Sequence, residues 1–103
     1  MELLTPELRA RLPKLYSQEA EATPVVYAKF FLPGTGWTWY VTEGEEKDGD
    51  FLFFGFVVGL ESEFGYFLLS ELESVTTPLG LHVERDESFH EGRLTDVVPA
   101  PDS

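Results

Sequence analysis

The residues with the greatest potential for chemistry lie near the end of the chain, where both histidines stand among carboxylates. The set consists of His82, Glu84, Asp86 and His90. Imidazole nitrogens and carboxylate oxygens bind divalent metals, and a bound metal can activate water for hydrolysis. With Glu43, these residues define one alternative function, a small metal-dependent hydrolase. A solvated polar face explains the same pattern and is the preferred interpretation.

Nucleophilic catalysis has little support in the sequence. The chain contains no cysteine, which excludes thiol catalysis, zinc–thiolate sites and disulfides. It also lacks a Gly-x-Ser-x-Gly motif, and Ser70 is predicted to cap a helix that includes Glu73 in a capping box. We therefore assign no catalytic residue and no cofactor, and favour a role that is not enzymatic.

The most unusual segment is Trp-Thr-Trp-Tyr, residues 37–40. In a strand, Trp37 and Trp39 would share one face of the sheet and Tyr40 would take the other. These three side chains are the candidate ligand-binding residues, because they could form an aromatic wall for a small ligand. Packing in the core is the preferred alternative, with the Tyr40 hydroxyl bonded at its rim.

A second acidic group occupies the segment from Gly44 to Asp50, which is predicted to be a charged hairpin loop. Carboxylate oxygens suit Ca²⁺ or Mg²⁺, but the residue order of an EF-hand is missing. A solvated loop that keeps the sheet edge soluble is therefore favoured over a metal site.

The charge of the chain restricts its partners. Nineteen acidic residues against seven basic ones give a formal net charge of −12. Nucleic acid and anionic membranes would be repelled, and no stripe of Lys and Arg offsets this repulsion. We therefore expect no direct binding to nucleic acid or membrane, and instead a basic or DNA-binding protein as partner. The oligomeric state stays open.

The sequence also predicts a location and suggests a source. The N-terminus lacks the basic and apolar regions of a signal peptide, and no apolar stretch is long enough to span a bilayer, so a cytoplasmic location is expected. Absence of Asn and scarcity of Gln and Met are typical of a thermophile, whereas scarcity of Ile, Asn and Lys is also typical of a G+C-rich genome.

The elements that must position these residues follow from caps, turns and alternation. Thr5 and Pro6 predict the start of a helix, which Pro13 should end. Strands are predicted at 25–32, 37–43, 51–60 and 64–69, with a short helix from Ser70 and a further strand at 79–85. The third strand is apolar on both faces, which predicts a central, covered position. Gly55 and Gly59 predict either a bulge or the close approach of another backbone.

These elements predict an α+β fold: an antiparallel meander of four to five strands, an N-terminal helix and a short helix after the fourth strand. With 103 residues, 43% of them hydrophobic, the chain has the size and apolar content of one domain. We expect that domain to span residues 1–98 and residues 99–103 to form a frayed tail.

The chain resembles the bacterial domain of unknown function 2958 family over about residues 3 to 90. The resemblance is carried by an ordered series of segments: Leu3 to Leu8, Leu12 to Tyr16, Lys29 to Phe31, Trp37 to Glu43, Phe54 to Gly59, Gly65 to Leu72, Pro78 to Leu81 and Glu84 to Asp86. It implies an accessory role in plasmids or other mobile elements and supplies no catalytic residues.

The leading hypothesis is a small cytoplasmic interaction module that binds a basic protein, one version being a mimic of DNA charge. The alternatives are the metal-dependent hydrolase and a domain that binds a small ligand against the wall of Trp37, Trp39 and Tyr40.

Overall fold

The structure, a computed structural model, describes residues 1–99 of the chain. It contains three short helices and seven strands: α1 (Pro6–Arg11), β1 (Val25–Val26), β2 (Ala28–Phe31), β3 (Thr38–Lys47), β4 (Asp50–Val58), β5 (Ser62–Leu68), α2 (Leu69–Ser74), β6 (Glu84–Arg85), β7 (Gly92–Arg93) and α3 (Leu94–Val97). The predicted α+β class is confirmed. The predicted tail at 99–103 falls outside the described residues except for Pro99.

Helix α1 begins and ends where the sequence predicts. The Thr5 hydroxyl accepts a hydrogen bond from the N–H of Leu8 at 3.2 Å, and Pro6 occupies the first turn. These features satisfy an N-terminal donor that would otherwise lack a partner. Pro13 follows one residue after the C-cap, so the helix cannot continue.

Five strands form an antiparallel sheet in the order β5-β4-β3-β2-β6. Strands β2 to β5 are neighbours in chain order, which confirms the meander, and β4 lies inside the sheet as predicted. The chain then returns to the opposite edge, where β6 pairs with β2. Strands β5 and β6 are therefore the two edges of the sheet.

The predicted hairpin loop at Gly44 to Asp50 is wrong in extent. Strand β3 continues through the acidic residues to Lys47, and only Asp48 and Gly49 form the turn. Both have positive φ, 51° and 82°, which a tight two-residue hairpin of type I′ requires. The many charged residues of this segment led to the prediction of a loop instead of a strand. The Asp-Gly pair, by contrast, is typical of the two-residue turn that the structure shows.

Two other predicted strands differ from the structure. The stretch 25–32 divides at Tyr27: β1 pairs with β7 in a separate two-stranded sheet, whereas β2 joins the main sheet. The strand predicted at 79–85 is reduced to β6. Strand β7 and helix α3 were not predicted, because elements of two and four residues carry too little periodicity.

The capping box predicted for α2 is also wrong. The helix begins at Leu69, and the Glu71 carboxylate accepts a hydrogen bond from the N–H of Leu68 at 2.8 Å. The hydroxyl of Ser70 instead donates to Asp50 at the start of β4. Asp50 also accepts a hydrogen bond from the N–H of Phe51. The hydrogen bond from the Ser70 hydroxyl, and to a smaller degree the one from Phe51, lowers the pKa of Asp50.

The two faces of the main sheet are covered differently. One face packs Phe30, Val41 and Phe53 against helices α1 and α2 and forms the main core. The other face has a smaller buried cluster of Val26, Tyr40 and Leu94, the last of which lies on α3. Helix α3 thus covers only part of the second face.

Gly55 confirms the predicted close approach of two backbones. A Cβ atom at this position would lie 2.0 Å from the carbonyl oxygen of Tyr40 on the neighbouring strand. At Gly59 the indole ring of Trp37 takes the corresponding space. Within residues 1–99, no helix has the length and apolar content needed to cross a membrane.

Candidate functional site

A cleft of about 310 Å³ lies on the second face of the sheet, where helix α3 does not cover it. It is bounded by the segment between α1 and β1 on one side and by strands β4 and β5 on the other. Aromatic and carboxylate side chains make up most of its lining: Tyr16, Gln18, Glu19, Glu21, Pro24, Thr42, Glu43, Phe54, Phe64 and Tyr66.

Four aromatic rings form one wall of the cleft. Phe54 stacks on Phe64 with ring centroids 5.8 Å apart and planes only 7° from parallel. The ring centroid of Tyr66 lies 4.8 Å from that of Phe54 and 6.4 Å from that of Tyr16, whose ring it meets edge-on. Tyr16, Phe64 and Tyr66 are 61%, 44% and 51% exposed. Adjacent exposed aromatic side chains are typical of a binding surface.

A β-bulge directs Glu43 toward this wall. The pairing of β3 with β4 shifts between Val41 and Glu43, so Glu43 lies opposite Phe54. Strict alternation would have placed Glu43 on the same face as Trp39 and Val41, in the main core. The extra residue, Thr42, moves it to the face that carries the cleft.

The Glu43 carboxylate is buried but fully occupied with the preceding segment. Glu43 is only 3% exposed. One oxygen accepts from the N–H of Tyr16 at 2.7 Å and the other from the N–H of Gln18 at 2.8 Å. Such charge-assisted hydrogen bonds are stronger than neutral ones, so Glu43 serves to hold the segment against β3.

Gln18 fixes the same segment from a second direction. Its amide oxygen accepts from the N–H of Val25 at 2.8 Å, and its amide nitrogen donates to the carbonyl oxygens of Val25 and Thr42 at 3.0 and 2.9 Å. The side chain therefore pairs with Val25 as a neighbouring strand would. The segment that carries Tyr16 is tied to both β1 and β3.

Tyr16 adopts a backbone conformation that non-glycine residues rarely use. Its φ is +72°, in the left-handed region. This conformation costs roughly 1 kcal/mol for a residue with a Cβ atom. The hydrogen bond from its N–H to Glu43 offsets the cost, and the result is a phenol ring that projects toward Tyr66.

The two tyrosines interact electrostatically as well as by packing. The neighbouring side chain of Tyr16, then burial and the negative charges of Glu43 and Glu19, raise the pKa of Tyr66 to about 12. The phenol of Tyr66 is therefore harder to ionise than that of an ordinary tyrosine. It presents a neutral ring and a hydroxyl group to the cleft rather than a phenolate.

The rim of the cleft supplies negative charge. Glu19 and Glu21 are exposed and lie on the segment that carries Tyr16. Glu21 lies 3.7 Å from the guanidinium of Arg93, whereas Glu19 forms no ion pair within the described part of the chain. An aromatic wall beside a carboxylate is suited to a cationic group, because ring faces and carboxylates both attract positive charge.

The predicted aromatic residues do not form one surface. Trp39 and Tyr40 are 8% and 3% exposed and lie in the clusters on opposite faces of the sheet. Trp37 is 38% exposed and stacks on Trp39, with ring centroids 5.9 Å apart. Their main role in the structure is packing, and burial raises the pKa of Tyr40.

The predicted metal-ligating residues are dispersed. His82 is exposed and bridges to Thr76, and His90 is exposed on a loop. Glu84 and Asp86 line a shallow surface cavity that also contains Lys29 and Arg85, and Lys29 lies 4.0 Å from Asp86. Within residues 1–99, no three His, Asp or Glu side chains are placed to hold a metal ion.

Sequence reasoning missed most of the cleft. Tyr16 and Tyr66 lie in segments that carry the family resemblance, but they are fifty positions apart, and Gln18 and Phe64 carry no motif. One available signal was the strand at 51–60, apolar on both faces. Its second face was expected to be covered, but Phe54 is only half-buried, beside the exposed Phe64.

The model of the family described as "Protein of unknown function (DUF2958)" matches residues 3–98, nearly the whole chain. This match confirms the resemblance seen in the sequence. No curated protein and no solved structure matches the chain. The chain therefore belongs to the DUF2958 family.

Proposed function

We propose that this member of the DUF2958 family is a protein-interaction module whose cleft binds an arginine or lysine side chain on a basic segment of a partner protein. Three exposed aromatic rings next to a carboxylate that forms no ion pair among residues 1–99 are the observation that carries the proposal. Tyr16, Phe64 and Tyr66 supply the ring faces, and Glu19 supplies the charge. Cation–π contacts of this kind contribute about 0.5–2 kcal/mol each.

The charge of the whole molecule supports the same partner. A net charge of −12 attracts a basic segment and increases its rate of association. The partner can be a DNA-binding protein, because such proteins display basic segments that pair with phosphate. In that version the acidic surface would compete with DNA for the partner.

Calorimetric titration with a short peptide of alternating arginine and valine tests the proposal. We expect the arginine peptide to bind about tenfold more tightly than peptides with glutamine or glutamate in place of arginine. Tyr66→Ala should weaken binding by about fivefold through loss of a ring face. Glu19→Gln should weaken it by about threefold, and this loss should shrink at high salt.

Matched controls come from exposed residues outside the cleft. Leu79→Ala removes an apolar side chain that is 88% exposed, and Glu73→Gln removes an exposed charge on α2; neither residue lines the cleft. Both variants should bind the arginine peptide like the unaltered protein. Equal affinity for the arginine and glutamine peptides, or equal losses in cleft and control variants, would refute the proposal.

A second candidate is a small organic cation in the same cleft. The volume of about 310 Å³ lies at the lower end of the range for small-molecule sites. Tetramethylammonium added to the peptide titration distinguishes a site for a small organic cation from a site for a partner segment. Competition with the arginine peptide at low millimolar concentration would favour the small cation, and no competition would favour the partner segment.

The proposal includes a cytoplasmic location and an accessory role beside mobile elements. Both rest on the sequence and on the family resemblance. A test is capture of partners from the native host with the unaltered protein and with Tyr66→Ala. Basic or DNA-binding proteins should be retained by the first and lost with the second.

A further inference from the structure

We infer that the partner segment binds in an extended conformation and adds to the main sheet as a sixth strand along β5. This inference rests on the proposed function and specifies how the segment is held. Strand addition to an exposed sheet edge is a common mode of peptide recognition, in which backbone hydrogen bonds supply affinity and alternate side chains supply specificity.

Strand β5 is an edge strand with free backbone groups. The N–H of Leu68, at its end, points away from β4 and donates to Glu71. In an antiparallel pair, every second residue points its N–H and C=O the same way. The outward set therefore includes Phe64 and Tyr66. Among residues 1–99, neither forms a backbone hydrogen bond outside its pairing with β4.

A groove follows this edge. A second cavity, of about 490 Å³, runs beside β5 and is lined by Trp37, Leu60, Glu61 and Glu63 together with Phe64 to Tyr66. Leu60 is 95% exposed and Trp37 is 38% exposed. Trp37 stacks on Trp39, on the face opposite the cleft, whereas Phe64 and Tyr66 flank the edge on the cleft face.

The charges along the edge select the occupant. Glu61 precedes β5 and Glu63 lies on it, both are exposed, and Glu19 lies at the cleft. A second copy of this chain would bring like charges together on top of a net charge of −12 for each molecule. A basic segment would bring opposite charges instead. The occupant we infer is therefore a basic segment of another protein.

Strand geometry then defines the pattern of that segment. A residue paired opposite Tyr66 places its side chain on the same face as Tyr66, beside the aromatic wall and Glu19. The next residue points to the other face, toward the second cavity, which Trp37 and Leu60 help to line. A segment that alternates basic and apolar residues fits both faces at once.

Hydrogen exchange measured by NMR on the complex with the arginine–valine peptide tests the inference. The amide protons of Phe64 and Tyr66 should exchange at least about tenfold more slowly in the complex, since new ladder bonds would protect them. The amide of Gly65, which already faces β4, is the internal reference. A bound peptide that leaves the Phe64 and Tyr66 amides unprotected would overturn strand addition while the cleft proposal stands.

Backbone methylation of the peptide gives an independent readout. Two versions carry N-methyl groups either on the arginines or on the valines, with side chains and charge unchanged. Strand addition requires only one of the two sets of N–H groups, so the two affinities should differ by about tenfold or more. Equal affinities would overturn strand addition, and absence of binding by the unmethylated peptide would overturn the cleft proposal as well.

Discussion

Glu43 connects the fold to the site through a single backbone irregularity. The bulge at Thr42 places its carboxylate on the cleft face, and two N–H groups of the segment before β1 bind it there. A carboxylate buried to this degree is stable only while its partners remain. The position of Tyr16, and with it the aromatic wall, thus depends on a residue that does not contact the ligand we propose.

Glu43→Ala should therefore lower stability strongly. Two charge-assisted hydrogen bonds are lost and two N–H groups are left without partners, so we expect a loss of about 3 kcal/mol in the free energy of unfolding. Urea denaturation followed by Trp fluorescence measures it.

Glu43→Gln is the matched variant, because its amide keeps the size of the side chain and one good acceptor. We expect it to lose less, about 1–2 kcal/mol. If Glu43→Ala unfolds at the same urea concentration as the unaltered protein, Glu43 does not hold the segment.

Tyr66 gives a second residue-level prediction, on its pKa. Because the neighbouring side chain of Tyr16 is the largest cause of its raised pKa, Tyr16→Phe should move the Tyr66 titration from about 12 toward the ordinary value of 10.0. Ultraviolet absorbance of the phenolate against pH measures the change, and Tyr66→Phe identifies which transition belongs to Tyr66.

The sign of the stability effect follows from the raised pKa. Below pH 10 the phenol is protonated in folded and unfolded chains alike, so its full contribution is present. Between pH 10 and about 12 only the unfolded chain ionises, and stability falls. Tyr66→Phe should lose less stability over this interval. Identical pH profiles for the two proteins would contradict the pKa of about 12.

At the scale of elements, local chemistry predicted helix α1, the meander and the position of β4. Thr5 and Pro6 act within one helical turn, and alternation acts along a single strand, so a sequence displays both directly. The close approach at Gly55 was predictable for the same reason.

The remaining elements depend on contacts between distant parts of the chain. Glu43 can be buried on β3 because its carboxylate accepts from the N–H groups of Gln18 and Tyr16, which lie 25 and 27 positions earlier. The cleft needs Tyr16, from the segment after α1, to meet Tyr66 on β5. No spacing between the two tyrosines in the sequence predicts this contact.

Helix α3 offers a prediction at this scale, since it covers the part of the second face next to the cleft. Leu94 is 8% exposed and packs with Val26 and Tyr40. Leu94→Ala should lower the free energy of unfolding by about 2–4 kcal/mol, through lost burial and the cavity it leaves. Chemical denaturation measures the loss.

Leu79→Ala provides the same substitution at an exposed position. Leu79 is 88% exposed, so the change should stay within about 0.5 kcal/mol. If the two Leu→Ala variants unfold alike, α3 contributes little to the second face.

At the scale of the whole molecule, charge and exposed aromatics occur together. Five of the eight exposed large hydrophobic residues lie at the cleft or along the β5 edge: Tyr16, Trp37, Leu60, Phe64 and Tyr66. Singly scattered apolar residues need no explanation, but a group concentrated at one sheet edge is typical of an interaction surface. In the function we propose, the net charge of −12 favours a basic partner for that surface.

The most direct test of the central claim is an NMR titration of the full chain with the arginine–valine peptide at low and high salt. We predict that backbone amide shifts concentrate at Tyr16, Glu19, Phe64 and Tyr66, and that affinity falls as salt screens the charges. The control signals, from Glu73 and Leu79, should stay in place. Shifts spread evenly over the acidic surface, or centred away from the cleft, would contradict the claim.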